Sequence, residues 1–254
     1  MTNESEKELA GRAAAKLVRD GDVVGLGTGS TAHFAIVGLG ERVKAGLKIV
    51  GIPTSNASAE LARSVGIPLA TLDQHPAIDI DIDGADEINP QLNLIKGGGG
   101  ALLREKIIAA ASKKMVVIAD SSKTVRTLGK FPLPVEIVAF AQAVVEKKIR
   151  ALGATPKLRT KRDGSTYLTD NGNPILDCSF GKIEDPVALA RILSDMPGVV
   201  EHGLFIGLAE GALIGRGGGV DEIQRKAASR KRKKKSSRRA SPRKRQSPPT
   251  RQRR

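Results

Sequence analysis

The sequence predicts an α/β protein in which helices cover both faces of a parallel sheet. Short apolar segments alternate with helical segments along the first half of the chain, which is the pattern of a parallel sheet. Beyond residue 131 the pattern changes to two consecutive strand–helix–strand units, which indicates a second, smaller α+β unit. The 254 residues are sufficient for two such units, each with a buried core.

Hydrophobic periodicity places the elements of the larger unit. Leu9, Ala13 and Leu17 share one stripe of a helix predicted over residues 6–19. Ile78, Ile80 and Ile82 alternate with aspartates, which is the two-residue period of a strand. The other elements of this unit are strands at 22–26, 48–52 and 115–119, helices after Thr31 and at 57–64 and 101–111, and a returning strand at 212–214.

The smaller unit is predicted to be ferredoxin-like and to be inserted into the larger, Rossmann-like one. Asn171-Gly172 favours a hairpin, because both residues tolerate positive φ. The predicted elements are strands at 135–138, 156–159, 165–169, 174–178 and 199–205, and helices at 141–152 and 186–193. The expected division is residues 1–130 with 206–224 for the large domain and 131–205 for the small one.

The formal net charge of +15 is concentrated in a basic tail. Residues 225–254 hold 16 of the 42 Lys and Arg residues, so residues 1–224 carry 26 basic against 27 acidic side chains. The tail contains no aromatic residue and no Val, Ile or Leu, and we therefore expect it to be disordered. It is either a solvated extension without a catalytic role or a non-specific, salt-dependent contact with nucleic acid or another polyanion.

Composition excludes several other classes of protein. A single cysteine, Cys178, rules out an intramolecular disulfide framework and favours a reducing, cytoplasmic location. No apolar run is long enough to span a membrane, and no secretory leader is visible. The three histidines lack zinc-ligand spacing, and the Asp79–Gly84 segment lacks the glutamate that a calcium loop needs at its twelfth position. We expect neither a metal nor a cofactor.

Polar clusters at the ends of predicted strands mark the expected ligand site. They are residues 28–31, 54–55, 83–86 and 121–123. The carboxyl ends of parallel strands form the ligand crevice of such sheets. Lys96 and the glycines after it directly precede a helix, where amide groups and the helix dipole favour an anion. No acidic residue ends the second strand, so a single phosphate is favoured over a dinucleotide.

Glu105 is the candidate general base. The predicted helix places it near Ala101 and Ile108, on an apolar stripe that would partly desolvate the carboxylate. We expect it to be ionised at pH 7 and able to abstract a proton. Lys96 and the amides of Gly97, Gly98 and Gly99 could stabilise the negative charge formed next to a carbonyl group. The alternative is an ordinary first-turn glutamate that complements the helix dipole.

Taken in order, seven segments resemble the type A ribose-5-phosphate isomerase family over roughly residues 5–220. They are residues 25–31, 83–88, 96–99, 104–106, 119–123, 129–135 and 169–173. The resemblance implies interconversion of D-ribose 5-phosphate and D-ribulose 5-phosphate through a cis-enediolate, in the non-oxidative pentose phosphate pathway. It also implies a metal-independent reaction and a homodimer or homotetramer.

The resemblance assigns roles by position. Glu105 matches the general base, and Asp83, Asp86 and Lys96 are further catalytic candidates. The substrate-binding positions are Thr28, Gly29, Ser30, Thr31, Asp83, Gly84, Ala85, Asp86, Lys96, Gly97, Gly98, Gly99 and Lys123. We expect the turn at 28–31, with Lys123, to hold the phosphate. The chain departs from the family pattern at Gly100, where alanine is expected.

Two other functions fit parts of the sequence. A sugar-phosphate-sensing regulator would bind its ligand in the body and nucleic acid through the basic tail, although no helix-turn-helix candidate flanks the body. A relative with the same fold, such as a CoA transferase or a sugar-phosphate deaminase, would carry different segments around the base. The isomerase is the main hypothesis.

Overall fold

A computed structural model describes residues 2–225, which form three sheets and six α-helices. The helices are α1 (Asn3–Ala15), α2 (Ser30–Lys44), α3 (Asn56–Ser64), α4 (Leu102–Ala111), α5 (Gln142–Ala151) and α6 (Pro186–Ser194). The strands are β1 (Val23–Leu26), β2 (Val50–Pro53), β3 (Ile80–Gly84), β4 (Glu87–Ile88), β5 (Leu94–Ile95), β6 (Met115–Asp120), β7 (Leu133–Ile137), β8 (Thr155–Leu158), β9 (Ile175–Ser179), β10 (Val199–His202), β11 (Leu204–Phe205), β12 (Ala209–Arg216) and β13 (Gly219–Gln224).

The largest sheet has the strand order β13-β12-β6-β3-β1-β2. Its strands are parallel except for the edge strand β13, which the sequence analysis did not predict. Alternate residues face opposite sides: Ile82 and Ile118 pack with α1 and α2, whereas Val117 and Ile214 pack with Ala109 of α4. Helices therefore cover both faces, and the predicted α/β class is confirmed.

The second sheet has the order β10-β7-β9-β8, and all its neighbours are antiparallel. With α5 and α6 as the two connections, this is the ferredoxin-like arrangement. The strand predicted at 165–169 is wrong: residues 160–174 form only two isolated bridges, Thr160–Thr166 and Leu168–Pro174. A tight turn lies directly before it, in which the Gly164 amide donates to the Lys161 carbonyl.

The third sheet, β11-β5-β4, joins the other two and was not predicted. The strand predicted at 199–205 divides at Gly203, whose amide donates to the Pro134 carbonyl and whose carbonyl accepts the Lys96 amide. Residue 203 is a glycine because a Cβ there would lie 2.2 Å from the Lys96 carbonyl oxygen. The chain therefore leaves the second sheet after β10 and pairs β11 with β5. Glu87 of β4 accepts hydrogen bonds from the Gly129 and Phe131 amides, which fixes the segment leading into β7.

Other boundaries differ from the sequence-based expectations by a few residues. Thr2 caps α1, so this helix begins at Asn3 and ends at Ala15, four residues before the predicted end. The domain boundaries stay a prediction. Arg225, the first residue of the predicted tail, continues the edge pairing by donating its amide to the Glu210 carbonyl. The rest of the tail, with its expected disorder, lies outside the described residues. Among residues 2–225, no helix is both long and apolar enough to cross a membrane.

Candidate active site

The predicted polar clusters meet in one cavity at the carboxyl ends of β1 and β3. The cavity has a volume of about 100 Å³. Every site residue predicted from the sequence lines it, with the exception of Asp83. Asp83 is fully buried beside the cavity and contacts Lys96. Thr54 and Ser55 stand behind the cavity wall rather than in it.

A fully buried lysine lies between two carboxylates at this cavity. Lys96 Nζ is 3.0 Å from Asp83 Oδ2 and 3.4 Å from Glu105 Oε2, and it donates a hydrogen bond to the Gly84 carbonyl. Burial alone would lower the pKa of Lys96, but the charges of Asp83 and Glu105 outweigh it and raise that pKa. Lys96 therefore remains a cation at physiological pH, and its charge faces the carboxyl group of Glu105.

Glu105 lies in the first turn of α4, directly after the glycine segment, and is only 3% exposed. Burial, followed by the negative charge of Asp83, raises the pKa of Glu105 to about 8, although Lys96 opposes this rise. A large share of Glu105 is therefore protonated at pH 7, and the expectation of an ionised carboxylate at that pH does not hold. Its burial also separates it from an ordinary, solvated first-turn glutamate.

Asp83 connects the lysine to the first glycine turn. Its Oδ1 accepts hydrogen bonds from the amides of Thr28 (3.0 Å) and Gly84 (2.7 Å), and its Oδ2 faces Lys96. Burial raises the pKa of Asp83, whereas Lys96 and the two amides lower it. Gly27 must lack a side chain, because a Cβ there would lie 2.3 Å from Asp83 Oδ1.

The turn at 28–31 offers an anion its amides, whereas the Thr28 hydroxyl is already engaged. The Thr28 hydroxyl is taken up by Thr54 (2.6 Å), Ser55 (2.8 Å) and Ser58 (3.1 Å), three side chains that face away from the cavity. Helix α2 begins directly after Gly29 and has no side-chain cap, so its first amides are open to a ligand. Ser58 was missed by the sequence analysis, although its three-residue spacing from Ser55 was visible.

The carboxylate of Glu6, near the start of the chain, holds the turn that contains Lys123. Lys123 ends a 3-10 turn, Ser121–Lys123, whose first residue donates its amide (3.0 Å) and hydroxyl (2.7 Å) to Glu6 Oε2. The other Glu6 oxygen accepts the Gly217 amide. No sequence pattern connected Glu6 of α1 with this turn, because the contact spans more than a hundred residues.

Asp86 holds the glycine segment in place. Its Oδ2 accepts the Gly98 amide at 2.8 Å, so this amide is not free to bind substrate as the sequence analysis expected. The amides of Gly97 and Gly99 donate to no acceptor within residues 2–225. The carbonyls of the same segment are bound by Arg159 and Tyr167 of the smaller unit, which the sequence analysis did not identify.

A polar contact beside Glu105 also connects the two units. Arg104 donates to Asn171 Oδ1, to the Asp170 carbonyl and to Asn56 Oδ1. Asp170 in turn accepts the Asn56 amide at the start of α3. The buried Glu136 holds the turn that contains Asp170, because it accepts hydrogen bonds from Thr169, Asn171 and Asn173.

Asp81 is buried two residues before Asp83 on the same side of β3. It is fully buried, and neither of its oxygens has a hydrogen-bond partner among the described residues. Burial, followed by the charge of Asp83, raises the pKa of Asp81 well above its ordinary value. Of the buried carboxyl groups of Asp81, Asp83 and Glu105, that of Asp81 has the fewest hydrogen-bond donors and cations in contact among the described residues.

Metal and thiol chemistry find no support in the described residues. Within residues 2–225, no three His, Cys, Asp or Glu side chains are arranged to hold a metal ion. Burial raises the pKa of the Cys178 thiol to about 12, which keeps it protonated at neutral pH.

The chain is similar to proteins of one family over most of its length. The family described as ribose 5-phosphate isomerase A (phosphoriboisomerase A) matches residues 50–219. Ribose-5-phosphate isomerase A of Parvibaculum lavamentivorans is 52% identical over 230 residues, covering 88% of this chain and 100% of that protein. The corresponding Bradyrhizobium diazoefficiens protein is 50% identical over 236 residues, covering 89% and 98%.

Solved structures show the same similarity. Ribose 5-phosphate isomerase A from Methanocaldococcus jannaschii superimposes with a TM-score of 0.84 at 42% identity, covering 88% of this chain and 100% of that chain. A D-ribose-5-phosphate isomerase in complex with phospho-erythronic acid gives a TM-score of 0.86 at 41% identity, covering 89% and 100%. The fold described above is therefore shared along almost the whole length of these proteins.

The buried Asp81 predicts a pH-dependent stability difference. Unfolded Asp81 releases its proton near pH 4, whereas the folded protein retains it, so this residue destabilises the fold increasingly as the pH rises above 4. Asp81→Asn should therefore gain stability over the wild type between pH 4 and pH 8, on the order of 1–3 kcal/mol. Urea unfolding at both pH values measures this gain. The exposed Asp73→Asn serves as control, and an equal offset for Asp81→Asn at both pH values would contradict the prediction.

Proposed function

As a member of the ribose 5-phosphate isomerase A family, the chain interconverts D-ribose 5-phosphate and D-ribulose 5-phosphate, and we propose that Glu105 is its general base. The reaction is a step of the pentose phosphate pathway. The observation that carries the proposal is the burial of Glu105 beside the Lys96 cation, with 3.4 Å between Glu105 Oε2 and Lys96 Nζ.

Glu105 would move one proton between two neighbouring carbons. Its carboxylate takes the proton from C2 of the open-chain aldose, and the electron pair left behind forms the C1–C2 double bond. The former carbonyl oxygen becomes a negatively charged enediolate oxygen. The proton of the C2 hydroxyl is transferred to the negatively charged oxygen on C1, and return of the first proton from Glu105 to C1 gives the ketose. A carboxyl group with a pKa near 8 is well matched to accept and return a proton near neutral pH.

Lys96 would stabilise the enediolate charge. Its ammonium group is desolvated, and a hydrogen bond from a charged donor is stronger than one between neutral groups. The free amides of Gly97 and Gly99 lie on the same segment and can add neutral donors. A preorganised donor of this kind contributes about 3–4 kcal/mol to transition-state stabilisation in other enzymes. Asp83 keeps Lys96 in place, and the free Asp86 oxygen is proposed to bind a sugar hydroxyl.

The phosphate group is proposed to bind at the start of α2. The open amides of the turn at 28–31 and the helix dipole suit a dianion, and Lys123 lines the same cavity. A related isomerase was solved in complex with phospho-erythronic acid, a molecule that carries a phosphate group and a carboxylate. The carboxylate would stand in for the planar, charged enediolate.

We propose a metal-independent reaction, a cytoplasmic location and a homodimer or homotetramer. The metal-independent reaction and the oligomer follow from the family resemblance, whereas the location follows from the single buried cysteine, which favours a reducing compartment. The side chain of Phe140 is 99% exposed, and fully exposed aromatic rings are more usual in protein–protein interfaces than on free surfaces. Sedimentation at the mass of one chain would exclude the oligomer.

Loss of the Glu105 carboxylate should remove most of the activity. We expect Glu105→Gln to lower kcat by 10²- to 10⁴-fold with EDTA present, because an amide cannot accept the C2 proton, while substrate affinity changes only a few-fold. A coupled assay of ribulose 5-phosphate formation measures this effect. Glu60→Gln, an exposed substitution on α3, is the matched control. Comparable turnover of Glu105→Gln and wild type would remove Glu105 from the mechanism.

The raised pKa of Glu105 predicts a specific pH profile. The base must be ionised, so kcat/KM should rise as the pH increases, be half-maximal near pH 8 and reach its plateau about one pH unit above that value. The substrate phosphate titrates near pH 6 and would produce a separate, lower step. A profile that is already flat between pH 6.5 and 9 would show that Glu105 ionises at a lower pH than its burial implies.

The basic C-terminal residues are proposed to bind polyanions independently of catalysis. Deletion of residues 226–254 removes 15 Lys and Arg residues and should leave isomerisation unchanged. The same deletion should abolish retention on a heparin column at low salt, and retention of the full chain should weaken steeply as salt is added. Unchanged retention after the deletion would contradict the proposal.

A further inference from the structure

We propose that Arg159 and Tyr167 of the ferredoxin-like unit are positioning residues for the isomerisation. They bind the carbonyl groups of the glycine turn Gly97–Gly100 and thereby fix the Gly99 amide as a donor to the enediolate. The inference rests on the proposed function of the cavity. It also explains why residue 100 is a glycine in this chain.

The three peptide groups of the turn have different hydrogen-bond partners. In the first, the Gly97 carbonyl accepts from Arg159 Nη1 (3.0 Å) while the Gly98 amide donates to Asp86. In the third, the Gly99 carbonyl accepts from the Tyr167 hydroxyl (3.2 Å), while the Gly100 amide closes the turn onto the Gly97 carbonyl (2.9 Å). Both of these peptide groups are therefore satisfied at each end.

The middle peptide group is held at one end only. Its Gly98 carbonyl accepts from Arg159 Nη1 at 3.2 Å, whereas its Gly99 amide has no acceptor within residues 2–225. In a trans peptide the C=O and N–H bonds point in opposite directions. A carbonyl held towards Arg159 therefore directs the Gly99 amide away from it. Gly99 lines the cavity and Arg159 does not, so the amide is turned towards the substrate side.

The Arg159 guanidinium is itself fixed in orientation. Its Nε and Nη2 donate to the two oxygens of Asp177, which leaves Nη1 for the glycine carbonyls. Arg159 directly follows β8 and Asp177 belongs to the paired strand β9, so both stand on one sheet. A two-point Arg–carboxylate contact defines direction as well as charge. The glycine turn is thus positioned by a rigid element of the smaller unit.

Tyr167 accounts for the departure from the family pattern at residue 100. Gly100 has a φ of +82°, and a Cβ on it would lie 2.2 Å from the Tyr167 hydroxyl oxygen and 2.7 Å from two of its ring carbons. The Arg159 guanidinium lies over the same ring, 5.6 Å from its centre. The tyrosine ring therefore occupies the space that an alanine side chain would need, and Gly100 and Tyr167 form a matched pair.

The first experiment removes the Arg159 guanidinium. Arg159→Met should lower kcat by about 10- to 100-fold while KM changes less than three-fold, because an oxyanion donor loses its orientation but the phosphate site is untouched. Arg150→Met is the control, since Arg150 of α5 forms only an exposed ion pair with Glu146. Added guanidinium ions, at millimolar concentration, should restore part of the kcat of Arg159→Ala and have no such effect on Glu105→Gln.

The second experiment tests the matched pair. Gly100→Ala should lose activity because its methyl group meets the Tyr167 ring. The double variant Gly100→Ala with Tyr167→Val removes the ring, so it should recover part of the thermal stability that Gly100→Ala loses, but it lacks the Tyr167 hydroxyl and should stay less active than the wild type. Thermal unfolding of each variant identifies any loss that comes from folding instead.

The outcomes separate this inference from the proposed function. An active wild type with unchanged kcat in Arg159→Met would overturn the positioning role and leave the isomerase mechanism intact. A fall in kcat without guanidinium rescue, or a double variant with a thermal stability no higher than that of Gly100→Ala, would also count against it. Inactivity of the wild type itself would instead contradict the function.

Discussion

The burial of one lysine between two carboxylates is the interaction on which the rest of the site depends. Moving charges out of water is costly unless each is paired and hydrogen-bonded, and Lys96 meets this condition through Asp83, Glu105 and the Gly84 carbonyl. Two negative groups share one positive group, so the cluster favours retaining one proton. That proton is held most readily by Glu105, because Asp83 also receives two backbone amides. The repulsion between the two carboxylates thus adds to the effect of burial and raises the pKa of Glu105.

The position of this cluster requires both structural units. The parallel sheet supplies Asp83 from β3 and the open amides at the start of α2, whereas Lys96 follows β5 in the small joining sheet. The backbone of Gly203 pairs directly with Lys96, and the ring of Phe205 lies 5.4 Å from the Lys96 ammonium group. Both residues come from the end of the ferredoxin-like segment. A change in the packing of that segment would therefore shift the position of Lys96 through its backbone contact with Gly203.

Local sequence patterns predicted the framework of the site but not its support. The clusters at 28–31 and 83–86 follow short apolar strands, and the topology of a parallel sheet then requires them to meet. Glu6, Arg159 and Tyr167 could not be found in this way, because their contacts with the site depend on how distant segments pack. Gly100 was visible as a departure from the family pattern, but its cause is the Tyr167 ring. The ionisation of Glu105 was wrongly expected, because burial and neighbouring charges oppose the helix dipole and only distances decide the balance.

The number of donors around each buried carboxyl group orders their roles. Asp81 has no donor, Glu105 has only Lys96, and Asp83 has Lys96 together with the amides of Thr28 and Gly84. Each donor favours the ionised form, so the support for the charged state increases from Asp81 through Glu105 to Asp83. Asp83 is therefore the best-supported counter-ion of Lys96, and Asp81 adds no second negative charge beneath it while it stays protonated. Glu105 occupies the intermediate position, which suits the proposed role of a group that takes a proton from carbon and gives it back.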